Sequence, residues 1–165
     1  MALRTILKEG DPTLTKVSRE VTVFDDRLHT LLDDMKDTLD DANGVGLAAP
    51  QVGILRRVIL VLDLDIDEDE EQTETLFELI NPQIVETEGE QVGYEACLSI
   101  PGFLGEVARP RRVKVKAQDR HGQQVEVEGT GITARALCHE IDHLDGLLYP
   151  RLTDELIHED QLEEG

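Results

Sequence analysis

Tryptophan is absent from this chain of 165 residues, which has only two tyrosines and three phenylalanines. A core with so few large rings has to rest on Leu, Ile, Val and Ala. Apolar runs are short: "VILVL" at 58–62 is among the longest, against the ~20 residues a bilayer-crossing helix needs. The opening "MALRTILKEGDP" lacks the apolar stretch of a secretory signal, so a cytoplasmic protein is expected. Lysine is scarce, five in all, and the net charge is −20. Such a surface repels phosphate backbones and anionic lipid, which argues against general nucleic-acid binding and against a membrane partner. Cysteine is nearly missing too. Cys97 and Cys138 are the two present, and in a cytosolic chain each reads as a ligand, a nucleophile or a core residue sooner than as half of a disulfide.

What is there suits one domain spanning residues 1–165. Leu28, Leu31, Leu32, Met35 and Leu39 recur at helical spacing, which predicts a helix from about Asp26 to Asp41, capped by Asp25 and ended by Asn43-Gly44. Arg57 to Leu62 reads as a buried strand, and "ETLFELINP" as another closed by Pro82. Val113, Val115 and Ala117 alternate with charged residues, and "QQVEVEG" alternates again after His121-Gly122, the pattern of a hairpin. Thr130 or Thr133 opens a second helix that ends near Gly146. The acidic "TDELIHEDQLEE" reads as a short terminal helix. The fold class predicted is α+β, with short antiparallel strands packed around one central helix. In "DLDIDEDEEQTE", Asp63, Asp65, Asp67, Asp69 and Glu74 fall on calcium-loop positions. Glu68, however, stands where such a loop needs glycine, so a solvated loop is the better reading.

The second helix carries "LCHEIDHLDG" at 137–146, in which His139 and His143 bracket Glu140 as HExxH. Four residues of helix rise about 6 Å and turn slightly more than once, so both rings leave one face and can share a metal. Glu140 sits one step round, able to take a proton from water at that metal without ligating it. Three completions compete for the third ligand. Tyr149 stands where one zinc-peptidase group has a third histidine, and a neutral phenol is a poor ligand there. Glu159, Glu163 or Glu164 would give a two-histidine, one-glutamate set from a polar tail. Cys97, in "YEACLSIPG", would give a thiolate with two imidazoles, a set that suits Fe(II) or Zn(II).

"GVGLAAPQ" (44–51), "EACLS" (95–99) and "HEIDHLDG" (139–146) occur in that order and together resemble the three signature motifs of the peptide deformylases. "ILKEGDPTL", the Asn81-Pro82 pair and "RPRRVKVKAQDRHG" are similar to that family as well, so the resemblance covers most of residues 4–150. It implies that Cys97, His139 and His143 hold one divalent ion, natively Fe(II) and replaceable by Zn, Ni or Co. It implies Glu140 as general base and then proton donor to the leaving amine. Gln51 and the backbone N–H of Leu98 would donate to the formyl oxygen. The substrate would be the N-formylmethionyl end of a nascent chain, and the products formate and a free amino terminus. Gly44 and Gly46 would let substrate backbone approach, and Val45, Gly46, Ala96, Ile132 and Ala136 are candidates for binding the peptide and its methionine side chain.

The chain departs from the family pattern at Ala96, where glycine is common, and at Cys138, where glutamine is common. A modest change in affinity is expected from the first and an oxidation liability near the metal from the second. A ribosome partner by way of a basic C-terminal helix is not expected of so acidic a tail. Glu95 and Asp142 are expected to form salt bridges to Arg109 or Arg111 that orient the ligands. The rivals are a zinc endopeptidase with another third ligand and a binding module that has kept the fold.

Overall fold

The computed structural model describes residues 2–64 and 75–160. Asp65, Asp67, Asp69 and Glu74 of the calcium-loop pattern, and the carboxylates Glu163 and Glu164, lie outside the described residues. Helix α1 spans Asp26–Ala42 and helix α2 spans Gly131–Leu144. The strands are β1 (Gly46–Ala48), β2 (Val58–Asp63), β3 (Thr75–Glu88), β4 (Gln91–Cys97), β5 (Ile100–Arg109), β6 (Arg112–Gln118), β7 (Gln124–Thr130) and β8 (Leu156–His158). A five-stranded sheet runs β1-β2-β3-β6-β7 and a three-stranded sheet runs β4-β5-β8, with every pairing antiparallel. None of the described helices is long and apolar enough to cross a membrane.

The apolar run in β2 follows from burial on both faces. Ile59 and Val61 pack with Leu137, Ile141 and Leu144 of α2, whereas Val58 and Leu60 pack with Leu32, Met35 and Leu39 of α1. A strand sandwiched in this way has no solvent side, so alternation disappears. Helix α1 begins where Asp25 accepts from the Leu28 N–H at 3.2 Å and ends at Asn43, whose φ of 54° is left-handed. Thr130 is the residue preceding α2. The hairpin β6–β7 forms as the alternation indicates, with Val113, Val115 and Ala117 buried.

Two expectations need correction. Pro82 does not close a strand, because β3 continues to Glu88. Asn81 takes φ 53° and the register with β6 shifts between Ile80 and Gln83, so the proline sits in a bulge where no ladder N–H is needed. The Asn81 side chain secures that bulge by accepting from the Val21 N–H and donating to the Val21 carbonyl, each at 2.8 Å. The acidic tail begins as a strand, Leu156–His158 pairing with Phe103–Gly105 of β5, and the helix expected there is present only at 159–160, where the described residues end.

The chain before α1 ties the elements together. The Leu7 N–H donates to the Gln51 carbonyl at 2.7 Å, the Glu9 N–H to the Ser99 carbonyl at 2.8 Å, and the Ser18 N–H to the Leu144 carbonyl at 2.8 Å. Gly146, at φ 72°, lies beneath the same segment, where an added Cβ would stand 2.5 Å from the Thr15 carbonyl oxygen. Gly146→Ala is therefore expected to destabilise the fold by roughly 2–4 kcal/mol in urea titrations, from left-handed strain plus a backbone clash. A loss below about 1 kcal/mol would mean that the segment yields easily.

Candidate metal centre

Helical spacing brings His139 and His143 to one face of α2, and the β4–β5 turn brings Cys97 to meet them. The His139 and His143 Nε2 atoms are 3.3 Å apart, and Cys97 Sγ lies 3.4 Å from His143 Nε2. All three side chains are buried, with their donor atoms within 4.8 Å of one another. A tetrahedral ion with bonds of about 2.1 Å to nitrogen and 2.3 Å to sulfur sets its donors roughly 3.4–3.6 Å apart, so the residues fit such an ion. Of the rival third ligands, Glu159 is not in this cluster. Tyr149 lies beside it, its ring 5.9 Å from that of His139 and its hydroxyl donating to the Phe103 carbonyl at 3.3 Å.

Glu140 is buried beside the cluster, and its Oε1 has no hydrogen-bond partner. Its other oxygen lies against β1 so closely that a Cβ on Gly46 would be 2.6 Å away. Glycine at 46 thus makes room for the carboxylate as well as for any backbone approaching β1. Burial pushes the Glu140 carboxyl up to about 7 against the opposing pull of His139. Burial likewise disfavours charge on His139, but Glu140, Cys97 and Glu95 outweigh it and draw that ring up to about 10. His143, buried and next to a cationic His139, is pushed down to about 3.

A network of charges holds the centre from behind. Glu95 accepts from His139 Nδ1 at 2.8 Å, which turns Nε2 toward the sulfur. Arg109 forks onto Glu95 at 2.7 and 2.9 Å and reaches Asp142 with its other nitrogen at 2.7 Å. The expected pairing of Glu95 and Asp142 with Arg109 is therefore present. Arg111 takes no part in it; its backbone N–H bonds to the Glu88 carbonyl and its side chain is exposed. Arg135, overlooked in the sequence, donates to Glu95 at 2.8 Å and to the Val107 carbonyl at 3.0 Å. Its position four residues before His139 put it on the ligand face, which was the available signal. Burial opposes charge on Glu95, yet the bonds from Arg109 and His139 hold it down to about 2.

Gln51 is buried in the short helix Ala49–Val52, with Oε1 accepting from the Ala48 N–H at 2.9 Å. Its Nε2 donates to Ser99 Oγ at 3.0 Å and lies 3.6 Å from Cys97 Sγ. Ser99, quoted in the sequence without a role, is what orients that amide. A cavity of about 420 Å³ opens over the cluster, walled by Val45, Gly46, Gln51, Ala96, Cys97 and Leu98, with His139 and Glu140 at its base and Glu159 also on its wall. Ile132 and Ala136 do not line it. Ile132 is 63% exposed at the start of α2, and Ala136 belongs to the core beneath the five-stranded sheet. Cys138 lies in that same core, and burial pushes its thiol up to about 11, which disfavours the thiolate.

Residues 3–158 match the sequence model of a family described as polypeptide deformylase. The chain is 54% identical over 163 residues to a peptide deformylase of Acetivibrio thermocellus, covering 99% of this chain and 91% of that one. It is 52% identical over 159 residues to one of Alkaliphilus metalliredigens, covering 96% and 100%. Among solved structures, a peptide deformylase from Legionella pneumophila superposes with a TM-score of 0.84 at 42% identity over 93% of this chain and 87% of that one. One from Thermotoga maritima gives 0.83 at 37% identity over 94% and 100%.

Proposed function

The chain belongs to the polypeptide deformylase family, and from that premise we propose how its own residues carry out the reaction. It is a hydrolase that removes the formyl group from the N-formylmethionyl ends of newly made polypeptides, releasing formate. The family is one of metalloenzymes, and Cys97, His139 and His143 are the residues that would hold the ion. A thiolate with two imidazoles favours a soft-to-borderline divalent ion; we assign Fe(II) natively, with Zn, Ni or Co able to replace it. When bound, the ion supplies the Lewis acidity that makes water a competent nucleophile near neutral pH.

The remaining steps fall to the protein. Glu140 takes the proton of the attacking water at Oε1, the oxygen without a partner, and passes it to the departing amine nitrogen. Gln51 has two N–H donors; one is held by Ser99, and the other donates with the Leu98 N–H to the formyl oxygen as negative charge gathers there. Strand β1 ends the five-stranded sheet, so substrate in extended form adds to its edge through main-chain bonds that tolerate many sequences. The cavity walls Val45 and Leu98 take the methionine side chain, and Ala96 narrows its rim. Cytoplasm is the compartment in which newly made ends are met. Residues 152–165 contain no Lys or Arg, so that stretch offers no basic surface to a ribosome.

The observation that carries this reading is the convergence of Cys97 Sγ and two imidazole Nε2 atoms beside an unpartnered carboxylate. Metal analysis of wild type and Cys97→Ala, with formate release from formyl-Met-Ala-Ser, tests it. Cys97→Ala is expected to weaken metal binding by roughly 100-fold or more and to abolish release. Full metal retention in that variant would move the third ligand elsewhere and favour a peptidase.

A further inference from the structure

A second cavity, of about 400 Å³, lies between the start of α1, the segment before it, and residues 54–56. No residue lines both this cavity and the one over Cys97. Its size is that of a small-molecule pocket. Val21, Leu28 and Leu31 give it an apolar floor, buried to within 2–5% of full enclosure, and Ile54 closes one side. Three arginines, Arg4, Arg27 and Arg56, are set around that floor.

Among the described residues, eight of the 16 Lys and Arg side chains pair with a carboxylate. Arg57, Arg109, Arg112, Arg120, Arg135 and Arg151 each do so, and Arg4 is held by Asp34 at 2.9 Å. Arg27 and Arg56 have no ion pair among the described residues, and both are exposed where they line the open side of the cavity. The acid that also lines the cavity is Asp25, whose carboxylate accepts from the Leu28 N–H as the cap of α1. Two residues apart on a helix, Asp25 and Arg27 do not face each other.

The walls are fixed by main-chain bonds. The Arg57 N–H donates to the Arg19 carbonyl at 2.9 Å, and the Arg19 N–H to the Leu55 carbonyl at 3.0 Å. Asn81 clamps Val21 from both sides, and the Ile54 N–H reaches the Ala49 carbonyl at 3.1 Å. The space is thus preformed, which lowers the ordering that a ligand would otherwise require.

We propose that this cavity is a second binding site, for an amphipathic anion whose carboxylate or phosphate meets Arg27 and Arg56 and whose short aliphatic tail lies on Val21, Leu28, Leu31 and Ile54. Guanidinium groups suit either oxyanion, since both present paired oxygens to a planar donor fork. The apolar floor excludes a bare ion as the preferred occupant, because half of the complementary surface would go unfilled.

The test is a titration of metal-loaded protein, with zinc as the diamagnetic ion, by octanoate, octyl phosphate, 1-octanol and inorganic phosphate in separate arms. Backbone amide shifts at Val21, Val23, Leu28, Leu31 and Ile54 report this cavity and not the metal centre. Saturable shifts there with octanoate or octyl phosphate are expected, and the stronger of the two identifies the head group. The Arg27→Gln/Arg56→Gln double variant is expected to weaken binding at least about tenfold while formate release and melting temperature stay unchanged. The proposal is overturned if neither anion shifts those amides, if 1-octanol or inorganic phosphate alone binds as tightly, or if the double variant binds like wild type.

Discussion

Glu140→Gln is expected to lower formate release from formyl-Met-Ala-Ser by ~10²–10⁴-fold, with bound metal and KM little changed. Glutamine keeps the shape of the side chain, so the close contact with Gly46 survives and no void opens. What disappears is a group that can take up a proton. The carboxyl is raised to about 7, above the ordinary carboxylate range, which makes it a stronger base. Burial sets that value, and the unpartnered Oε1 shows that no hydrogen bond within the protein competes for the proton. Metal analysis must accompany the kinetics, because Glu140 adjoins a ligand in the chain. A metal-replete variant that kept more than about a tenth of the wild-type rate would exclude Glu140 as the base.

Glu95→Ala is expected to destabilise the fold by roughly 3–5 kcal/mol, since it strips the carboxylate from Arg109 and Arg135 in a place where water cannot replace it. For a chain of this size that corresponds to a fall in melting temperature of about 6–20 °C. Metal affinity should drop by about 10–100-fold as well, because His139 Nδ1 loses the acceptor that orients the ring. The pH dependence has a definite sign. Glu95 is held down to about 2 in the fold, from 4.5, so the carboxylate stabilises fully above pH 4.5, and that contribution is lost as pH falls through about 2. The gap in stability between wild type and Glu95→Ala should therefore be widest near neutrality and close in acid. A gap that stayed constant down to pH 2 would mean that lost packing, not charge, accounts for the difference.

Where one short segment contains its own explanation, the sequence could be read directly. Helix α1 shows its leucine stripe, its Asp25 cap and its Asn43 stop within eighteen residues or so, and α2 declares itself through two histidines a turn apart. The hairpin β6–β7 has plain alternation on both arms. Strand β3 misled because Asn81 adopts a left-handed angle that its own sequence does not announce; the partner that stabilises it, Val21, is sixty positions away. Strand β5 begins "IPGFLG", rich in strand-weakening residues, and holds because β4 and β8 flank it. The meeting of Cys97 with the two histidines could be anticipated from the motifs, and so could the pairing of Glu95 with Arg109. Arg135 and Ser99 could not, since their roles exist only after β4, β5 and α2 have come together. Ile132 and Ala136 share the helix of the histidines, but periodicity does not say which flank of α2 faces the cavity and which faces the sheet.

The segment before α1, with its bonds to the Gln51, Ser99 and Leu144 carbonyls, also sets a schedule for the chain's own synthesis. Its first residues leave the ribosome long before their partner on α2 exists. Contacts so distant along the chain close slowly and late, after local helices and hairpins have formed. Cys97, the two histidines and the strap that braces them therefore reach their places together, when residue 146 and the turn it forms have emerged. An ion held by that cluster would therefore be captured by a finished chain, not by a growing one.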